Sequence, residues 1–167
     1  ANGGIGMDVS NLRHSQIGHE GMASGPVTAC RIYDRSIKWA NQIGKRDGAA
    51  TVFNRLHHLD IKEFIKATDN YGDHKERFGT INTCLWTTQY FFEKVRRGEP
   101  WYVFCPAKAP RLNQVYGYEY EVEYEATVVE AIKRKAAYEQ IRRERDVLKN
   151  RLLTSPTPEL RAAYKAK

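Results

Sequence analysis

The fold is decided by the stretches GGIGMDV, at residues 3–9, and AATVF, at residues 49–53. Both stretches are short and apolar, and glycines lead into the first, so each one predicts a β-strand. Between them, Pro26 suits the first turn of a helix. Apolar residues then recur at helical spacing as far as about Asn41. A strand, a helix and a second strand in this order predict the parallel sheet of an α/β protein.

The flanking segments contain further predicted elements. The polar, glycine-bearing stretch at residues 12–25 predicts a long loop, which in a compact domain is often functional. Helical patterns occupy residues 59–67 and 87–97, and the second ends at Gly98. The dense apolar run WYVFC, at residues 101–105, predicts a buried strand.

The carboxyl-terminal third predicts mainly helix. Residues 118–125 alternate strictly, as a strand does, yet their tyrosines also recur four residues apart, as on one helix face. Local rules leave both possibilities open. Residues 128–153 predict a long charged helix, and another helix is expected from Glu159 onward.

Composition excludes several classes of protein. Hydrophobic residues make up 41% of the 167 residues and charged residues 28%, which is typical of neither a disordered tail nor a membrane protein. Cys30, Cys84 and Cys105 are scattered without a CxxC pair, which favours reduced thiols in a cytoplasmic compartment over disulfides or a zinc site. Since Ala1 leads straight into a glycine motif, we expect a piece of a longer protein.

The net charge of +7 has a local origin. Residues 1–130 hold 16 basic and 16 acidic side chains, whereas residues 131–167 hold 11 basic and 4 acidic ones. A basic tail could contact nucleic acid. Acidic residues such as Glu139 share that helix, however, so a solvated helix with ion pairs four residues apart is the favoured interpretation.

The loop at residues 42–48, QIGKRDG, is the first candidate binding element. The Gln42 amide can hydrogen-bond a base edge in both directions, and Lys45 and Arg46 can meet phosphate. Its glycines let the backbone approach a flat ligand closely. The alternative is a solvated turn between helix and strand, which the local pattern alone favours.

Histidines offer a weaker signal. His57 and His58 are adjacent, so on a strand they face opposite sides and would not easily share a metal. His14 and His19 lie in the first loop without a third well-spaced ligand. Surface or capping roles are predicted for all four, and no metal site is assigned.

Together and in this order, these segments resemble the catalytic, large subunit of ribonucleotide reductase, from Gly3 to about Glu125. Each string is weak, but their order and spacing make the set specific. The strings are GGIG (3–6), SGPV (24–27), QxGKRxGAA (42–50), HLDI (58–61), WYVFCP (101–106) and VYGxEY (115–120).

The resemblance implies a ten-stranded α/β barrel. Residues 1–125 would supply a segment of that barrel carrying the specificity loops. Residues 126–167 would be a basic helical extension or insertion. Within the resemblance, residues 118–125 are expected to be helical.

The resemblance also assigns site residues. Residues 12–25 would be the first specificity loop, with Arg13 near the triphosphate of an effector nucleotide. The second specificity loop would lie between that effector, bound at a dimer interface, and the substrate base. Its members would be Gln42, Gly44, Lys45, Arg46 and Gly48, of which Gln42 and Arg46 would report effector identity to the substrate.

A loop with several backbone states of similar free energy can be shifted by an effector that favours one of them. Such coupling is typically ~1–3 kcal/mol, which changes substrate choice by about five- to 150-fold.

The resemblance further implies the reaction and its partners. The parent would reduce ribonucleoside diphosphates to deoxyribonucleotides by radical chemistry, under control of ATP and deoxynucleoside triphosphate effectors. It would use a thiol reductant system and a metal-radical cofactor held in a separate small subunit, and its large subunit would form a homodimer. The family's catalytic cysteine motifs do not occur in this chain, so we assign no catalytic residue and expect the fragment alone to be inactive.

Two alternatives stay open. An adenosylcobalamin-dependent reductase shares the SGPV and HLDI strings. A nucleic-acid-binding protein would instead use the basic tail, although neither a nucleic acid nor a membrane is the expected partner.

Three positions depart from the family pattern. Ile43 stands where the family usually has glycine, and His57 stands where it often has tryptophan. The string TTQY, at residues 87–90, replaces the usual Pro-Asp pair before a helix.

Overall fold

The computed structural model describes residues 4–17, 19, 21–40, 48–68, 77–154 and 157–166. Its elements follow the order β-β-β-α-β-α-β-α-α-α, with one short 3-10 helix before the last two α-helices. The elements are β1 (Gly4–Asp8), β2 (His14–Ile17), β3 (Gly21–Ser24), α1 (Gly25–Ala40), β4 (Ala49–Arg55), α2 (Ile61–Lys66), β5 (Ile81–Trp86), α3 (Gln89–Arg96), the 3-10 helix (Pro110–Asn113), α4 (Gly117–Thr154) and α5 (Pro158–Lys165).

The predicted parallel sheet is confirmed. β4 lies between β1 and β5, and both neighbours run parallel to it, with Gly4 opposite Ala49 and Ala50 opposite Ile81. Helix α1 connects β1 to β4, as the α/β pattern requires. Within the described residues this sheet has three strands and is not closed, so the ten-stranded barrel stays a prediction.

The core lies where α1 and α2 cover the sheet. It is formed by apolar side chains of 0–5% exposure from α1, β4, α2 and β5, and from Val9, which directly follows β1. Burying one such large side chain stabilises the fold by about 1.5–3 kcal/mol. The cluster comprises Val9, Cys30, Ala50, Val52, Ile61, Phe64 and Ile81.

A buried carboxylate joins α1 to β5. Asp34 is 8% exposed, and its Oδ1 accepts hydrogen bonds from the backbone N–H groups of Gly79, Thr80 and Ile81 at 3.0, 2.6 and 3.1 Å. The bond to Ile81, which is 5% exposed, satisfies a backbone donor at the start of β5 that would otherwise be buried without a partner. Asp34 therefore fixes where β5 begins.

Three sequence predictions need correction. The stretch at residues 12–25 is not wholly a loop, because β2 and β3 pair antiparallel within it. The run at residues 101–105 is not a strand, since only Phe104 makes a bridge, to His58. Pro100 and Pro106 lack the N–H that would extend pairing at either end, and the Trp101 indole instead donates to the Leu56 carbonyl at 3.2 Å. Strand β5 was not predicted at all.

The helical interpretation of residues 118–125 is confirmed. They lie within α4, a helix of 38 residues. Its first residue, Gly117, has a left-handed backbone conformation, with φ at +59°. The chain divides into two compact units, Ala1–Glu121 and Val122–Lys167. The second unit contains the remainder of α4 together with α5. No helix in the described ranges combines the length and apolar character needed to cross a bilayer.

Candidate functional site

The segment that follows β1 is held by side chains from distant parts of the chain. Asn113 donates its amide hydrogens to the Ser10 carbonyl at 3.1 Å and to the Asn11 Oδ1 at 2.8 Å. Asp8 Oδ1 accepts from both the backbone N–H and the hydroxyl of Ser10, at 2.8 and 2.5 Å. These bonds fix the backbone at the carboxyl end of β1.

Two histidines and one aspartate continue this arrangement into β2. His58 is 1% exposed, and its Nε2 donates to the Leu12 carbonyl at 2.7 Å. Its Nδ1 accepts from the Asp60 N–H at 3.0 Å, so the ring is the neutral Nε2–H tautomer. Burial lowers the pKa of His58. Asp60 in turn contacts His14, with 3.1 Å from Oδ1 to Nδ1 and 3.3 Å from Oδ2 to the backbone N.

Arg13 lies between these two fixed points. Its backbone is bracketed by the bonds to Leu12 and His14, while its side chain is exposed. The guanidinium Nη1 lies 4.0 Å from the Cys105 Sγ. No carboxylate in the described part of the chain pairs with it. An exposed guanidinium on a fixed backbone can bind an oxyanion with two parallel hydrogen bonds.

Most of the predicted second specificity loop lies outside the described residues. Gln42, Gly44, Lys45 and Arg46 belong to that part, and the predictions made for them stand untested. Gly48 is described and immediately precedes β4. Because β1 and β4 are parallel, Gly48 lies toward the amino end of the pair, whereas Arg13 follows its carboxyl end.

A second polar cluster escaped the sequence analysis. It forms where the end of β4 meets the 3-10 helix and the start of α4. Arg55 is 8% exposed and donates to the carbonyls of Leu112 and Asn113 at 3.3 and 2.9 Å, and to the Tyr116 hydroxyl at 3.0 Å. The partners lie 57–61 positions away in sequence, so no local pattern could have indicated them.

His57 belongs to the same cluster. Its Nε2 lies 3.0 Å from Asn113 Oδ1 and its Nδ1 lies 2.9 Å from the Tyr120 hydroxyl. An amide oxygen only accepts, so Nε2 carries the hydrogen and Nδ1 accepts from Tyr120. Burial lowers the pKa of His57 to about 4, with a smaller opposing contribution from the Asn113 bond and a further lowering by Arg55. The ring is therefore neutral at pH 7.

The structure settles several predictions about histidine and cysteine. His57 and His58 follow the end of β4 rather than lying within it, and both are buried, so a surface role for them was wrong. Cys30 is fully buried, and burial raises its pKa to about 12. Cys84 and Cys105 are only half-buried, and all three are reduced. The described ranges contain no group of three or more side chains suited to a metal ion.

Comparison with known proteins indicates the family of this chain. The family model described as "Ribonucleotide reductase, barrel domain" matches residues 1–151. This chain belongs to the ribonucleotide reductase family. The "Ribonucleoside-diphosphate reductase subunit alpha" of Chlamydia pneumoniae is 33% identical over 126 residues, covering 74% of this chain and 12% of the relative. The "Ribonucleoside-diphosphate reductase large subunit" of Caenorhabditis elegans is 30% identical over 148 residues, covering 83% of this chain and 19% of the relative.

A plant relative gives the same result. The "Ribonucleoside-diphosphate reductase large subunit" of Arabidopsis thaliana is 33% identical over 126 residues, covering 73% of this chain and 15% of the relative. This chain thus spans less than a fifth of the length of these relatives. These names favour neither the adenosylcobalamin-dependent enzyme nor a nucleic-acid-binding protein.

Proposed function

We propose that this chain forms part of the barrel of a ribonucleoside-diphosphate reductase large subunit, and that its two loops communicate effector identity to the substrate. The family match over residues 1–151 carries this proposal. The parent enzyme is an oxidoreductase that makes deoxyribonucleotides in the cytoplasm. The chain's own share of that task is structural and allosteric rather than catalytic.

Arg13 is the proposed anchor for the effector triphosphate. Triphosphate binding is stronger when the backbone that carries the cation is already ordered, because ordering a flexible segment on binding costs free energy. The bonds of His58 to Leu12 and of Asp60 to His14 fix the backbone on both sides of Arg13. The exposed guanidinium then provides a fork of donors that matches phosphate oxygens.

The second loop is proposed to relay that binding. Gln42, Gly44, Lys45, Arg46 and Gly48 would lie between the effector and the base of a ribonucleoside diphosphate. An effector base that favours one loop conformation changes which substrate base fits.

The proposed assembly includes a homodimer and a separate small subunit. The homodimer is supported by an exposed face of α1 on which Ile32 is 65% exposed and Trp39 is 88% exposed, each about one turn from Arg35. Large apolar side chains exposed on one helix face are typical of an interaction surface. The small subunit would hold the metal-radical cofactor, and a thiol system would supply reducing equivalents.

We further propose the division into a barrel segment, residues 1–125, and a basic helical extension, residues 126–167. The division of the chain into two compact units falls close to this boundary, after Glu121. The exposed face of the long helix bears ion pairs four residues apart, such as Arg134 with Glu130. This pattern suits a solvated helix.

Effector binding by the intact parent polypeptide tests the role of Arg13. Arg13→Ala is expected to weaken the affinity for a deoxynucleoside triphosphate about tenfold or more, because a charge-assisted phosphate contact is lost. Isothermal titration calorimetry measures the dissociation constant. Arg142→Ala, which removes an exposed arginine from α4, is the matched control and should bind normally. Equal affinity for the Arg13→Ala and Arg142→Ala proteins would refute the assignment.

A further inference from the structure

A cavity of about 270 Å³ opens beside the polar cluster that contains Arg55 and His57. Its lining residues lie outside both predicted specificity loops. We call it the Arg55 pocket. Its wall combines rings, hydroxyls, an amide and one cation, and no aspartate or glutamate lines it. The side chains used below are Arg55, His57, Trp86, Gln89, Tyr116 and Tyr120.

The cation in this wall has no counter-charge. Arg55 is 8% exposed, and none of the ion pairs among the described residues involves it. Its Nη atoms are satisfied by two carbonyls and the Tyr116 hydroxyl, but its buried Nε has no hydrogen-bond partner within the described ranges. A buried guanidinium is energetically costly unless an anion accompanies it.

Two polar rings at the pocket, His57 and Tyr116, do not supply that anion. His57 is held neutral by burial, since its pKa lies at about 4, and it already bonds Asn113 and Tyr120. The Tyr116 hydroxyl accepts from Arg55 at 3.0 Å and keeps its own hydrogen as a donor. The Tyr116 ring lies over the guanidinium, with 5.0 Å from Cζ to the ring centroid. Arg55 and Tyr116 therefore both present donors.

Two helices begin at the same cavity. α3 starts at Gln89, after the cap residue Thr88, and α4 starts at Gly117. Thr88, Gln89 and Gly117 all line the pocket. The amino end of a helix carries a partial positive charge and favours anions. The buried cation and the two helix ends thus converge on one cavity.

The pocket also has a flat apolar side. Trp86 and Tyr116 are 52% and 65% exposed, and both line the cavity together with Val115. Aromatic surfaces of this kind bind planar or apolar groups. Two of the chain's departures from the family pattern, His57 and residues 87–89, contribute to this wall.

We propose that the Arg55 pocket binds a small organic anion, in which a carboxylate or phosphate group pairs with Arg55 and a planar body lies against Trp86 and Tyr116. The anion would neutralise the buried guanidinium and accept from the Tyr116 hydroxyl. The site is independent of the effector role proposed for Arg13.

Calorimetry on the intact parent polypeptide tests this proposal with three probes. Benzoate and phenyl phosphate carry the two candidate anions on the same ring, and benzyl alcohol is the uncharged comparison. We expect at least one anion to bind and benzyl alcohol to bind at least about tenfold more weakly. The tighter anion identifies the ligand class. Failure of both anions to bind at millimolar concentration, or equal binding of the alcohol, overturns the proposal.

Two variants locate the binding. Gln89→Glu places a negative charge at the exposed start of α3, where it suits the helix dipole and should not impair folding. Arg55→Gln removes the cation, and its thermal midpoint reports whether the fold survives. Both should weaken anion binding about tenfold or more. Gln140→Glu on α4 is the matched control and should bind normally. Unchanged binding by Gln89→Glu, or an equal loss in Gln140→Glu, contradicts the assignment.

Discussion

Replacing Asp34 by alanine is expected to release the start of β5 from α1. The carboxylate accepts three backbone hydrogen bonds, at 3.0, 2.6 and 3.1 Å, and is 8% exposed. A hydrogen bond to a charged group contributes about 1.5–3 kcal/mol net. Three bonds that share one oxygen fall at the low end of that range, so we expect a loss of about 3–5 kcal/mol. Local opening of β5 should therefore become about 10²–10⁴ times more frequent.

Hydrogen exchange measured by mass spectrometry on the intact parent polypeptide follows this opening. Peptides covering residues 79–86 should exchange faster in Asp34→Ala, while peptides from α4 should not change. Asp34→Asn retains an oxygen acceptor without the charge, so its effect should be about half as large in free energy. Asp146→Ala removes an exposed carboxylate from α4 and should leave β5 unaffected. Wild-type exchange at residues 79–86 in Asp34→Ala would refute the reasoning.

Two other predictions concern His57 and the exposed face of α1. The folded pKa of His57 is about 4 and its unfolded value is 6.5, so between these values the unfolded state binds more protons. Stability should therefore be complete above pH 6.5 and fall by about 3 kcal/mol in all as the pH drops toward 4. Thermal unfolding should show a shallower pH dependence for His57→Phe, and an unchanged slope would contradict this. Trp39→Ser should weaken the proposed homodimer in sedimentation analysis, whereas Tyr138→Ser, on exposed α4, should not; equal self-association of both variants would argue against the α1 face.

Local patterns sufficed for elements whose residues pair or pack with near neighbours. The glycines that lead into β1 and the proline at the start of α1 are signals of this kind. The tyrosines four residues apart fit α4, but the strict alternation of residues 118–125 fits a strand as well, and only the family resemblance favoured the helix. They failed where pairing is decided by tertiary contacts. β5 carries Asn82 and Thr83 in its middle, so it lacks the apolar run of a buried strand, yet it pairs with β4 along its length.

The reverse error occurred at residues 101–105. The Trp101 indole donates to the Leu56 carbonyl, and Phe104 makes a single bridge to His58, but the run forms no ladder of backbone hydrogen bonds. Apolar content predicts burial, but strand formation also needs a partner edge and consecutive N–H donors. The polar hairpin formed by β2 and β3 was missed for the opposite reason, because exposed strands need no apolar alternation.

The two candidate sites also differ in whether the sequence indicated them. Arg13 was assigned through resemblance, and the structure adds the backbone bonds that flank it. Arg55 and His57 gave no local signal, because their partners come from residues 112–120. Only the fold brings these residues together around a cavity.

The proposed relay of effector identity through residues 42–48 is tested by substrate competition in the intact reductase, compared between the wild type and Arg46→Ala. We expect the variant to lose most of the effector-dependent preference among ribonucleoside diphosphates, a change of about five- to 150-fold, and to keep effector binding. If the variant selects the same substrates as the wild type under every effector, Arg46 does not relay effector identity.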